Sequence, residues 1–239
     1  MSDLAGIYPA IITPFDAAGA LDLGALGAFL DFQREAGVDG YCACGTNGEG
    51  TSLSVDERKR VLDAVIAGGG GLPVIAGTGA CSVTDAVELT TYAGRAGAEA
   101  VLVLPSFFFP KPDARGLAAY FRRVLDASSV PVLLYSIPQF SGIPVTDEVL
   151  DLLAGHPRLA GVKDSAGDWG RSCEFLARRE LAVYCGDDTL LARFLGGGAV
   201  GCISGVANAF PELLVDVWRT RGSQQEMERR QERLNPSHQ

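Results

Sequence analysis

Residues Ala100 to Ser136 read AVLVL, PSFFFPKPD, ARGLAAYFRRVLDA, SSV and PVLLYS in turn. The first and last of these runs are apolar from end to end, as strands are when both faces of a parallel sheet are covered. Residues 114–127 between them carry apolar side chains at helical spacing. Two apolar strands joined through a helix form a parallel crossover unit.

Outward from this unit the pattern repeats in both directions. Candidate strands fall at Gly6–Thr13, Gly40–Cys44, Pro73–Gly77, Ala100–Leu104, Pro131–Ser136, Leu159–Lys163, Ala182–Cys185 and Val200–Ser204. Helical segments fall roughly at 22–36, 54–68, 82–96, 114–127, 146–154, 168–179, 188–195 and 209–220. Several helix starts are signalled. Ser54-Val55-Asp56-Glu57 is a capping-box pattern, Ser82 is an N-cap, and Thr146 precedes Asp147 and Glu148. Eight such units predict an α/β fold closed into a (β/α)8 TIM barrel, with its site at the strands' C-terminal ends. The rival, an open doubly wound sheet, wants a glycine-rich turn after the first strand. Here that strand runs into Thr13-Pro14-Phe15-Asp16. With 239 residues the chain reads as one domain, a barrel over residues 1–220.

Net charge is −9 with no Lys/Arg stripe, which argues against nucleic acid or an anionic membrane as partner. No apolar run is long enough to span a bilayer, and the N-terminus lacks the pattern of a signal peptide, so a cytoplasmic protein is expected. Six cysteines include no CxxC pair, and Cys42 and Cys44 are expected to share one buried strand face. Histidine occurs only at His156 and His238, which leaves little room for Ser-His-Asp chemistry or an imidazole zinc site.

Lysine occurs only at Lys59, Lys111 and Lys163. Lys59 lies in the charged helical run Glu57–Arg60 and Lys111 between two prolines. Lys163 ends an apolar strand. Either burial depresses its pKa and makes it a nucleophilic amine, or it is ion-paired with Asp164. Gly45-Thr46-Asn47-Gly48-Glu49-Gly50 follows the second strand. Such a loop is a concave anion site of successive N–H groups, with glycines supplying positive φ and close backbone approach, or a plain βα connection. Tyr135 at a strand end can carry protons or simply fill the rim. Gly186-Asp187-Asp188 and Ile203-Ser204-Gly205 follow the seventh and eighth strands, as ligand contacts or as turns.

Together these segments resemble the dihydrodipicolinate synthase / N-acetylneuraminate lyase family of pyruvate-dependent class I aldolases. The likeness runs from Gly6 to about Trp218 through PAIITPF (Pro9–Phe15), CGTNGEG (Cys44–Gly50), VIAGTG (Val74–Gly79), LLYSIP (Leu133–Pro138), GVKDSAGD (Gly161–Asp168), GDD (Gly186–Asp188) and GCISGVANAFP (Gly201–Pro211). The resemblance implies Lys163 as Schiff-base lysine, with Tyr135 and Thr46 moving protons. It implies a substrate carboxylate held around Gly45, Thr46, Asn47 and Gly48, with Gly186, Ile203 and Ser204 lining the pyruvate region. It implies a small-molecule 2-oxo acid substrate, no cofactor, no metal, and a homo-oligomer, dimer or tetramer.

Departures narrow the expectation. The synthase branch uses an arginine where Phe140 stands and a partner subunit's tyrosine where Phe107 stands. Both changes turn the reading from synthase to an aldolase of 4-hydroxy-2-oxo acids or 2-keto-3-deoxy sugar acids, or to a sugar-acid dehydratase. Residues 221–239 look like the start of the family's C-terminal helical extension, cut short. The rivals are a catalytically impaired 2-oxo-acid-binding paralogue and a pyridoxal-phosphate barrel enzyme.

Overall fold

The computed structural model describes residues 4–235; His238 and the rest of 236–239 lie outside the described residues. Eight parallel strands run β1 (Gly6–Pro9), β2 (Tyr41–Ala43), β3 (Val74–Gly77), β4 (Ala100–Val103), β5 (Val132–Ser136), β6 (Leu159–Asp164), β7 (Ala182–Cys185) and β8 (Gly201–Ser204). Sheet order is β1-β8-β7-β6-β5-β4-β3-β2. Closure between β1 and β2 rests on a parallel bridge from Ala10 to Cys42. The Ile11 N–H donates to Cys42 O at 3.0 Å and the Asp39 N–H to Ile7 O at 3.0 Å. The expected (β/α)8 TIM barrel is the observed fold.

The helices are α1 (Leu23–Glu35), α2 (Val55–Gly68), α3 (Val83–Ala96), α4 (Ala114–Ala127), α5 (Pro138–Ser141), α6 (Asp147–Leu153), α7 (Trp169–Ala177), α8 (Leu191–Gly196), α9 (Pro211–Arg219) and α10 (Gln224–Leu234). The capping box at Ser54 forms, and Ser82 and Thr146 cap α3 and α6 as read from sequence. Two apolar layers result. Tyr8, Cys42, Ile75, Leu102, Leu133, Tyr184 and Ile203 fill the barrel. The outward strand residues meet the helices, as Val101, Val103 and Val132 do. No helix among the described residues is long and apolar enough to cross a membrane.

Two expectations need correction. The first strand ends at Pro9 rather than Thr13, because beyond Ala10 the chain leaves the sheet and Thr13 Oγ1 donates to Gly48 O at 2.7 Å. Cys42 and Cys44 do not share a face. Cys44 takes a left-handed backbone (φ 55°) after β2 has ended, and its thiol turns outward to the Arg58 carbonyl. All six thiols are free. The segment after α9 forms the helix α10, with one face turned inward. Met227, Gln231 and Leu234 of α10 are buried, at the spacing of one helical face.

Candidate active site

Tyr135 on β5 stands opposite Lys163 on β6 in the sheet register, so both side chains enter the barrel mouth side by side. Lys163 is 4% exposed. Its Nζ donates to Tyr135 Oη at 3.3 Å and lies 4.3 Å from the ring centroid. Thr46 Oγ1, from the loop after β2, is 3.4 Å from the same phenol. Amine, phenol and hydroxyl thus form a hydrogen-bonded chain drawn from three separate segments. Asp164 points the other way, as strand alternation requires. Its carboxylate accepts from Ser172 Oγ at 2.7 Å and from the Ala166 N–H at 3.1 Å. Lys163 therefore does not pair with Asp164. Lys59 is at the surface, paired with Glu88 at 2.6 Å.

The expected fall in the lysine's pKa does not occur. Burial does pull it down, but the Tyr135 oxygen and the Cys42 and Cys202 thiols favour the ammonium more, so Lys163 sits above the ordinary lysine value. Burial pushes Cys42 itself up to about 11. A Lys163 proton has one near route out, through Tyr135 to Thr46.

The loop after β2 is built differently from the sequence expectation. Its left-handed residues are Cys44 and Glu49 (φ 52°), not glycines. Gly48 and Gly50 are there for space. A Cβ on Gly48 would lie 2.6 Å from Ile11 O, and one on Gly50 would collide with Cys44 O. The Glu49 and Gly50 amides are spent within the loop, on Thr46 O and Gly45 O. The amides of Thr46, Asn47 and Gly48 donate to no acceptor among the described residues. Those of Thr46 and Asn47, which line the same cavity as the amine, suit a carboxylate.

Two cavities meet at Thr46, Tyr135, Ile137 and Phe140. One, about 350 Å³, contains Lys163 with Asn47, Gly186 and Ile203. The other, about 270 Å³, extends toward β3 and β4 and contains Gly45. Gly186 leaves room for the amine, since a Cβ there would collide with Ser165 Oγ and stand 2.8 Å from Lys163 Cε. Two expected contacts are not brought to the cavity walls. Gly48 is buried behind the loop, and Ser204 accepts from the Ala207 N–H at 2.9 Å.

Sequence reading missed Ser165, Gln139 and Arg58. Ser165 Oγ donates to Gly186 O at 3.1 Å and Gln139 Nε2 to Ser165 O at 2.6 Å, tying the turns after β5, β6 and β7 together. Arg58 lies in a run read as a charged face, yet it is buried. It donates to Gly77 O at 2.6 Å and Gly79 O at 3.1 Å. The signal was present, because Arg58, Val61, Leu62 and Val65 share one helical face.

A parallel eightfold barrel that brings one enclosed amine against a phenol at its C-terminal mouth has the layout of the barrel enzymes, whose chemistry is done by side chains at strand ends. This chain belongs to the dihydrodipicolinate synthetase family, matched over residues 3–239, and is a class I lyase of that family. It is 42% identical over 219 residues to an uncharacterised DapA-like lyase of Chloroflexus aurantiacus, covering 89% of this chain and 73% of that protein. It is 30% identical to the Acinetobacter baumannii dihydrodipicolinate synthase solved with pyruvate (TM-score 0.93; 98% of this chain, 82% of that one). A catalytic lysine mutant of Ruminococcus gnavus sialic acid aldolase matches at 26% identity (TM-score 0.93; 99% and 79%).

Proposed function

We propose that this protein is a Schiff-base aldolase that cleaves 4-hydroxy-2-oxo acids, the class that includes 2-keto-3-deoxy sugar acids, with Lys163 as the amine. The observation that carries the reading is the buried Lys163 Nζ held 3.3 Å from Tyr135 Oη, beside a loop with three unspent amides. The pyruvate of the Acinetobacter complex and the catalytic lysine of the Ruminococcus aldolase support it.

The steps balance without any co-reactant but water. The Thr46 and Asn47 amides hold the substrate carboxylate and orient the C2 carbonyl. The neutral fraction of Lys163 attacks C2, and Tyr135 relays the nitrogen proton to the new alkoxide. Tyr135 then protonates the carbinolamine hydroxyl, which leaves as water. An iminium remains beside a phenolate. That phenolate takes the C4 hydroxyl proton as the C3–C4 pair flows into the iminium, giving an aldehyde and a pyruvyl enamine. Tyr135 returns the proton to C3, and water hydrolyses the imine to pyruvate and Lys163.

Phe107 and Phe140 weigh against the synthase alternative, because Phe140 offers the second substrate's carboxylate no cation and Phe107 offers a proton relay no hydroxyl. The test is the time course of 4-hydroxy-2-oxo acid consumption, with pyruvate and dehydrated product measured together. Pyruvate matching substrate loss is expected. Substrate loss without pyruvate establishes the dehydratase instead, and no loss favours the impaired paralogue. The reading includes a homo-oligomer, dimer or tetramer, supported by Phe108 and Phe109, which are 79% and 78% exposed on the loop after β4. A monomer mass by light scattering contradicts that part.

A further inference from the structure

We infer that the cavity holding Lys163 takes a neutral, hydroxylated chain on C4, recognised by Asp187 and Gln139, so that the aldehyde released beside pyruvate is a polyol; this rests on the aldolase reading above. With the carboxylate on the Thr46 and Asn47 amides and C2 on Lys163, the walls left for the rest of the substrate include Gln139, Ser165, Gly167 and Asp187, from the turns after β5, β6 and β7. Ser165 stands next to the amine, since its Oγ and Lys163 Cε both border the space that a Cβ on Gly186 would fill. Gly167 faces Asp187, whose Oδ2 lies 3.6 Å from where a Cβ on Gly167 would stand.

The side-chain atoms that this wall leaves free are acceptors. Asp187 Oδ1 accepts from the Thr189 N–H at 3.1 Å and from Thr189 Oγ1 at 2.6 Å, which fixes the carboxylate, while Oδ2 has no partner among the described residues. Gln139 Nε2 donates to Ser165 O at 2.6 Å, which leaves Gln139 Oε1 free. Ser165 Oγ donates to Gly186 O at 3.1 Å and keeps its lone pairs. Asp188 takes no part, because it is buried with its carboxylate turned to Cys202 Sγ and the Val206 N–H. Lys163 is the only lysine or arginine lining the cavity, and C2 occupies it. A second carboxylate on the substrate would leave water for a wall that carries a fixed negative charge and no free cation. An apolar group would displace water from Asp187 and Gln139 and return no donor. A hydroxylated chain gives both a donor, with a charge-assisted bond to Asp187 Oδ2.

The test compares kcat/KM for pyruvate release from 2-keto-3-deoxygluconate, 4-hydroxy-2-oxoglutarate and 4-hydroxy-2-oxopentanoate. The sugar acid should exceed both others by about tenfold or more. A carboxylated or methyl substrate equal to it or better overturns the inference. Asp187→Asn keeps an oxygen for the Thr189 contacts and removes the charge, so the ratio of 4-hydroxy-2-oxoglutarate to sugar-acid turnover should rise by about tenfold. An unmoved ratio also counts against the inference. Borohydride trapping with pyruvate alone separates the two levels. An adduct without preference for the sugar acid overturns only this inference, whereas no adduct overturns the aldolase reading and this inference with it.

Discussion

Tyr135 acts on Lys163 twice, as acceptor of its hydrogen bond and as an aromatic face beneath its charge. Both favour the ammonium, against burial. The sign follows. A lysine whose pKa is raised has a neutral fraction that grows about tenfold per pH unit below it, so imine trapping should climb throughout roughly pH 6–9. Tyr135→Phe removes the oxygen, leaves burial less opposed, and moves the profile to lower pH. It also removes the proton relay and should cut the plateau rate by about a hundredfold or more. A profile that stays in place shows that the phenol oxygen does not hold the ammonium. Gly186→Ala acts by space alone. A methyl 2.8 Å from Lys163 Cε displaces the amine, and trapping should slow by about a hundredfold with the fold retained by circular dichroism. Lys163 was legible in the sequence because two of three lysines had evident surface positions. Arg58 was not, because charged neighbours on both sides hid its buried helical face.

At the scale of elements, the turn after β7 is held from behind by α10. Gln231 accepts from the Ala192 N–H at 2.9 Å and donates to Asp188 O at 2.9 Å. Asp188 in turn accepts from the Val206 N–H at 3.1 Å, after β8. Gln231→Ala leaves the Ala192 N–H without this partner and takes one of two donors from the Asp188 carbonyl, which keeps the Leu191 N–H, and should cost about 1–3 kcal/mol by denaturant melt. The same change loosens the Gly186–Asp188 wall and should raise KM for pyruvate-yielding substrates more than it lowers kcat. Equal effects on both would make the contact purely structural. Helix caps were legible because Ser and Thr followed by acids leave a local signature. α5 was not, since a single turn opened by Pro138 is too short to show a period. The buried face of α10 was not legible, because the helix is polar on average although Met227 and Leu234 point inward.

At the scale of the molecule, the barrel was readable because one unit recurs eight times, and each repeat corroborates the others. The site was readable only in pieces. Thr46, Tyr135 and Lys163 come from segments far apart in the chain, and closure of the barrel creates their distances. The division of the mouth into two cavities was not readable at all, because it depends on where Phe140 and Ile137 project after β5 turns. The most direct measurement of the central claim is borohydride reduction in the presence of pyruvate, followed by peptide mapping. The account predicts one reduced pyruvyl group per chain, on the peptide containing Lys163, and none when Lys163 is changed to Ala. An adduct on Lys59 or Lys111, or none at saturating pyruvate, contradicts it.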